Sequence, residues 1–272
     1  MTLLNLFLLS WAIVAFVMGM AWWVARKLDN YSIVDAVWAL SFSFLSPMII
    51  VLSPGYPLRK IVLGSLFLIW SVRLGMYLAV RIFGHLEVED GRYVKLRAEY
   101  GNRLAFRFFL FFQMQALSVA FLLLPLFIAA QNTSDLLHPF EVFGIVFFFV
   151  GLIGETVSDG QLKRFVRKPE NKGKVCDVGL WKYSRHPNYF FEAVIWVGYG
   201  VFACGSPNGA WALTTTAVMW LLLLKVTGVP MSEEQNLRSK PDRMRFRNNA
   251  ARELYRVFEV DSFLPRTWRK NC

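Results

Sequence analysis

Residues 179–192 read GLWKYSRHPNYFFE, a basic loop that passes directly into an apolar run, and the fold is decided by how they are read. Pro187 suits the first helical position, where its missing N–H removes no hydrogen bond. A helix begun there stays apolar as far as residue 204, close to one membrane crossing. Asn188 and Glu192 then fall four apart on one face. Glu192 lies a turn inside an apolar segment, where a carboxylate is costly unless something satisfies it. One ligand touching both residues would do so. A plainer reading also fits: basic residues ahead of a spanning helix are ordinary topology signals, and a Glu near the interface reaches back toward water.

Outward from this stretch the apolar pattern recurs. Segments of about 20 apolar residues cross a hydrocarbon core of about 30 Å as helices. Seven are expected, at 3–25, 31–52, 60–83, 105–130, 139–158, 188–204 and 208–227. With 56% apolar side chains in 272 residues, the chain reads as an all-α, polytopic membrane protein of one domain. The first segment lacks a basic start and a clear small-residue cleavage site, so it reads as a retained anchor. Loops 85–102 and 160–185 and the region after Lys225 are basic, whereas 131–138 and 205–208 hold no Lys or Arg. The basic segments belong inside, which places the N-terminus outside and the C-terminus in the cytosol. Arg59 and Lys60 count against this orientation and are expected to snorkel from a helix end.

The net charge is +11, with 11 of the 30 Lys and Arg from Lys225 onward and eight between Lys163 and Arg185. Charge gathered on one membrane face suits anionic lipid headgroups or a polyphosphate ligand better than nucleic acid. The residues after Lys225 are too polar to span and fit an amphipathic surface helix. Cys176, Cys204 and Cys272 form no CxxC pair, and His85, His138 and His186 are scattered, so no metal site is expected. The chain has no GxGxxG following a strand, no GxxxxGK[ST] loop and no GxSxG elbow, which excludes soluble dinucleotide-fold, P-loop and hydrolase readings.

Polar residues inside the expected spans carry the remaining signal. Asp35 interrupts the second span. Arg73, Tyr77 and Arg81 succeed one another at four-residue intervals, a polar stripe down one face of the third. It serves either packing between helices or the lining of a wet cavity, and the cost of an Arg at depth favours the cavity. The loop that follows mixes Glu89 and Asp90 with Arg92, Tyr93, Lys95 and Arg97, a solvated face or a cover over a phosphate-bearing ligand. Gln113 fits an interhelical hydrogen bond. Glu155 and Asp159 are again four apart, and with a span ending at 158 they oppose the macrodipole of the helix C-terminus. Either Lys163, Arg164 and Arg167 compensate them on the surface, or they accept hydrogen bonds from sugar hydroxyls or an amide while Arg167 and the lysines meet phosphate. Carboxylates, Asn, Tyr and Arg thus collect as for a polar cavity open to the cytosol, suited to a hydrophobic substrate entering from lipid and a soluble cofactor entering from water.

SDGQLKRFVRKPENKGK at 158–174 and GLWKYSRHPNYFFE at 179–192 resemble the DUF1295 branch of the steroid 5-alpha-reductase-like membrane family. So do YSIVDAVWAL at 31–40, WSVRLGMYLAVR at 70–81, EDGRY at 89–93 and SFLP at 262–265. The resemblance covers most of the chain. It implies a seven-helix membrane reductase that uses NADPH on a carbon–carbon double bond conjugated to a ketone, in a steroid-like or other lipid. It implies one membrane domain, with substrate-side helices at 1–130, cofactor-side helices and loop at 131–227, and a cytosolic basic tail at 228–272. Asn188 and Glu192 would then bind the nicotinamide end of the cofactor, and Glu155 and Asp159 its other polar groups. Arg167, Arg185 and Arg92 would meet its phosphates, with Tyr183 and His186 also in the cofactor set. Asp35 and Tyr77 stand as the catalytic pair that assists protonation at the carbonyl. The implied setting is a bacterial inner membrane or the endoplasmic reticulum, with the active site facing the cytosol. Shorter RHPxY runs also occur in isoprenylcysteine carboxyl methyltransferases. An S-adenosylmethionine-dependent methyltransferase, supported by Glu233 and Glu234, and a non-catalytic lipid-binding protein are therefore the competing expectations.

Overall fold

The computed structural model describes residues 1–226 and 228–230, and every regular element among them is helical. The expected surface helix of the tail, Glu233, Glu234 and the SFLP run lie outside the described residues.

Local chemistry explains where the helices begin and break. Helix α1 (Leu3–Lys27) is capped by Thr2, whose hydroxyl accepts the Asn5 N–H at 3.3 Å, and it ends on Arg26 and Lys27, as the macrodipole favours. Helix α2 (Ile33–Leu52) carries Asp35 in its first turn, the end at which a negative charge is favoured. Pro57 starts α3 (Pro57–Phe83), and the Asp90 carboxylate caps the short, polar α4 (Gly91–Tyr100). The expected fourth span divides at Leu123 into α5 (Leu104–Leu122) and α6 (Leu124–Ala129), because Pro125 has no N–H to continue the ladder. Then come α7 (Pro139–Val166), α8 (Pro187–Ala203) and α9 (Leu213–Leu221), the last running into a π turn at Leu222–Val226.

Among the described residues six helical stretches are long and apolar enough to cross a membrane: α1, α2, α3, Gly91–Ala129, α7 and Gly209–Val226. By length and composition these make the chain a multi-pass helical protein. The remaining segment of the seven expected, α8, is a helix of 17 residues. At 1.5 Å per residue it is about 26 Å long, at the short end of the range for a crossing helix.

The chain forms two compact units. The first joins Met1–Ile145 with Tyr199–Thr215. Its centre is aromatic: Phe67 stacks on Tyr199 at 3.9 Å, and Trp70 meets Trp38, Phe42 and Tyr199 edge to face. The Ser71 hydroxyl donates to the Ala39 carbonyl, tying α3 to α2 with no polar group left over. The second unit joins Val146–Gly198 with the described residues from Thr216. There α7 and α8 pack antiparallel, and Thr216 and Trp220 donate to the carbonyls of Trp196 and Ala193.

Arg59 does not snorkel. It is 1% exposed and forms an ion pair through Nε with the buried Glu141. Its remaining donors reach the carbonyls of Asn132, Ser134 and Leu136. The other Glu141 oxygen accepts the His138 N–H at 2.9 Å. A guanidinium whose charge is matched and whose donors are used this fully needs no water, so Arg59 carries no weight as a topology signal. Lys60 donates to the Ser53 carbonyl.

Candidate functional site

Helix α7 continues to Val166, eight residues beyond the expected end of its span. Glu155 and Asp159 therefore sit within the helix, not at its C-terminus, and its last turn holds Lys163 and Arg164. The expected clash with the macrodipole is absent because the helix is longer.

The loop back to α8 is pinned to α7 by its own residues. At Gly179 the chain adopts φ +57°, and a Cβ there would lie 2.4 Å from Gln161 Nε2, so both conformation and space demand glycine. The Leu180 N–H donates to Gln161 Oε1 at 2.8 Å, and buried Trp181 donates through Nε1 to the Ser158 carbonyl at 2.9 Å. These contacts explain GLW as a docking motif. They also assign structural roles to Gln161, Ser158 and Trp181, which spacing alone does not single out. Pro187 begins α8 as expected, and the preceding His186 N–H donates to Ser184 Oγ at 3.2 Å.

Gly154 sets the separation of α7 and α8, since a Cβ there would stand 2.3 Å from the Phe191 ring. At that distance Asn188 Nδ2 donates to Asp159 Oδ1 at 3.4 Å. Asn188 Oδ1 is buried and has no hydrogen-bond partner among the described residues. One turn further along each helix lie the buried carboxylates Glu155 and Glu192, 5% and 6% exposed. Glu192 Oε1 accepts from Trp196 Nε1 at 2.8 Å. The unit thus brings together four sequence-expected residues, Glu155, Asp159, Asn188 and Glu192, as three carboxyl groups and one amide. A set of acceptors with a buried amide oxygen to spare suits a ligand presenting amide, amine or hydroxyl donors.

In the same unit a cavity of about 590 Å³ opens beside the end of α7, lined by Arg164, Lys168 and Lys174, by the carboxylates Glu170 and Asp177, and by Gln161 and Asn171. The expected Arg167 is exposed and is not among the lining residues. Tyr183 is 54% exposed, Arg185 and His186 are half-buried, and the His186 ring stacks on Tyr189 at 5.5 Å.

The first unit holds the other expected residues. Asp35 has different partners from the expected Tyr77: Arg92 donates to Asp35 Oδ2 at 2.7 Å and the Tyr93 hydroxyl to Oδ1 at 2.6 Å. Tyr77 is 40% exposed on α3. Arg92, expected at phosphate, is engaged by two carboxylates, since its Nε also donates to Asp90 Oδ1 at 2.9 Å. Burial alone would raise the Asp90 carboxyl, but the hydrogen bonds and charge of Arg92 outweigh it and hold it below the ordinary carboxylate value. No cluster of His, Cys, Asp or Glu among the described residues has the makings of a metal site.

Comparison with known proteins places this geometry in a family. The model of the DUF1295 family, described as a protein of unknown function, matches residues 21–253. A probable O-methyltransferase, ustE, of Ustilaginoidea virens is 43% identical over 56 residues, 21% of this chain and 20% of that protein. The chain therefore spans about a fifth of the length of that relative. An uncharacterized protein of Schizosaccharomyces pombe is 24% identical over 284 residues, 93% of this chain and 78% of that protein. No solved structure matches the chain.

Proposed function

We propose that this chain, which belongs to the DUF1295 family, is an NADPH-dependent membrane reductase of a conjugated carbon–carbon double bond in a steroid-like or other lipid substrate. The observation that carries the reading is the buried Asn188 Oδ1, an acceptor without a partner among the described residues, held beside Asp159 by its own amide. A carboxamide N–H, such as the nicotinamide end of the cofactor presents, is the donor this oxygen lacks, and the residues therefore fit that group. Glu155 and Glu192 supply acceptors for further amide or ribose donors. Arg164, Lys168 and Lys174 exceed the carboxylates Glu170 and Asp177 around the cavity by one charge, and they are the cations we assign to the phosphates. When bound, the cofactor supplies a hydride for the β carbon of the enone.

The chain's own part in the reaction is to exclude water, orient the nicotinamide and stabilise the oxygen on which negative charge develops. Asp35 and Tyr77, the pair expected to assist protonation, both belong to the first unit. The Lys and Arg bias of the loops supports an N-terminus outside, a C-terminus in the cytosol and a cofactor mouth facing the cytosol, with α8 counted as a crossing. The same bias suits a bacterial inner membrane or the endoplasmic reticulum. The substrate class follows from access through the bilayer.

A second reading, methyl transfer from S-adenosylmethionine, is supported by the 43% identity to a probable O-methyltransferase over 56 residues. The amine and ribose hydroxyls of that cofactor are also donors. Native mass spectrometry of the detergent-solubilised full chain with each cofactor separates the two. Retained NADPH, weakened by Asn188→Ala and Glu192→Gln, is the expected result. Binding of S-adenosylmethionine with no affinity for NADPH overturns the reductase.

A further inference from the structure

The polar segment between α3 and α5 is fastened in an unusual way. Tyr93 is the only buried residue of α4, and its ring meets Phe111 edge to face at 6.1 Å. At the other end of α4 the Tyr100 ring meets Phe108 edge to face at 5.0 Å. Most of the other contacts of α4 are electrostatic, and they converge on the turn between α1 and α2. Asp35 takes Arg92 and the Tyr93 hydroxyl. Arg97 spans two carboxylates, Asp29 at 2.8 Å and Glu89 at 3.0 Å. Arg81, from the end of α3, reaches Asp90 at 3.3 Å. Two backbone amides complete the seam: the Tyr31 N–H donates to Glu89 Oε1 at 2.8 Å, and the Asp90 N–H to Ser32 Oγ at 2.9 Å.

Beneath the seam lies an aromatic floor. Tyr31 stacks on Phe108 at 3.7 Å with interplanar angle 5° and touches Phe112 edge to face, and all three are at most 1% exposed. The segment is bounded by Gly84, at the end of α3, and by Gly101. Gly101 has φ +51°, a conformation other residues rarely adopt, and a Cβ there would touch nothing within 4 Å. Its glycine serves the turn, not packing.

We propose that residues 84–101 form a lid over this aromatic floor, hinged at the two glycines and latched by the Asp35–Arg92–Asp90 cluster with Arg97 as an outer clasp. Partly exposed ion pairs are individually weak and screened by salt, whereas a helix packed through an apolar face is not. A segment held mainly by such pairs opens as a local unit while the bundle beneath stays folded. Opening uncovers Tyr31 and Phe108 at the end of the first unit and gives a planar apolar molecule a way in. The lid stands independently of which cofactor the second unit binds.

Hydrogen exchange of the full chain in lipid nanodiscs, without added cofactor, tests it through the two seam amides. Asp35→Asn and Arg92→Gln are each expected to speed exchange at Tyr31 and Asp90 by about two- to fivefold, the effect of losing a partly exposed charged contact. In the wild type the same amides quicken as salt is raised. Amides in the middle of α2 are expected to stay as they were in every case. Arg97→Gln, which removes only the outer clasp, is the milder variant and quickens the seam to a smaller extent. Seam amides that ignore all three substitutions and salt overturn the lid. A rise in parallel across the middle of α2 overturns it as well, since the cluster would then be holding the bundle together.

Discussion

Asn188→Leu should move stability and ligand affinity in opposite directions. The side chains are similar in size, so the replacement opens no appreciable cavity. It removes a buried acceptor with no partner among the described residues, which costs the protein about 1–3 kcal/mol as a desolvated group. It also removes the Nδ2 contact to Asp159, which at 3.4 Å lies at the weak end of a hydrogen bond contributing about 0.5–1.5 kcal/mol. The difference leaves the variant between unchanged and about 2 kcal/mol more stable in the absence of nucleotide. On the proposed function, affinity for NADPH falls, because the amide oxygen assigned to the ligand is gone. One neutral hydrogen bond is worth about tenfold in Kd, more if Asp159 reorients. Unfolding in mild detergent, followed by tryptophan fluorescence, gives the first quantity, and titration with NADPH gives the second. A variant destabilised by more than about 2 kcal/mol would refute the reasoning, because Oδ1 would then be holding the protein together and not waiting for a donor.

Three other outcomes follow from the geometry. Glu141→Ala leaves Arg59 buried and without its counter-charge, and a loss of about 3–5 kcal/mol is expected in the same unfolding assay; a loss below about 1 kcal/mol would mean that water reaches the guanidinium. Gly154→Val forces a branched side chain into the Phe191 ring and should cost about 1–3 kcal/mol while also lowering cofactor affinity, since α7 and α8 must move apart. The Asp90 carboxyl titrates below its ordinary value of 3.8, so the stability it contributes is complete above that value and is lost as the pH falls through its folded-state value. Acidification should therefore release the 84–101 segment below about pH 4, with no change between neutrality and about pH 5, as read by hydrogen exchange at the Asp90 amide. A steady loss starting near neutrality would assign the transition to another group.

Much of the geometry of α7 and α8 is legible in the sequence. A proline at the start of an apolar run predicts where α8 begins, and four-residue spacing predicts that Asn188 and Glu192, or Glu155 and Asp159, share a face. Those relations are local and follow from helical geometry alone. The hydropathy pattern ends α7 early, because its last turns are polar and hydropathy falls before the helix does.

What the chain's order by itself determined is therefore the helical, multi-pass character, most helix starts and the residues that share a face, since each depends on neighbours within a turn or two. The partners of the charged groups were settled only in three dimensions. Asp35 meets Arg92 and Tyr93 from 57 and 58 positions away, and Arg59 meets Glu141 from 82 away. Spacing carries no information about such pairs, because a buried charge takes whichever opposite charge the packing of distant helices brings within reach, and that packing is a property of the whole fold.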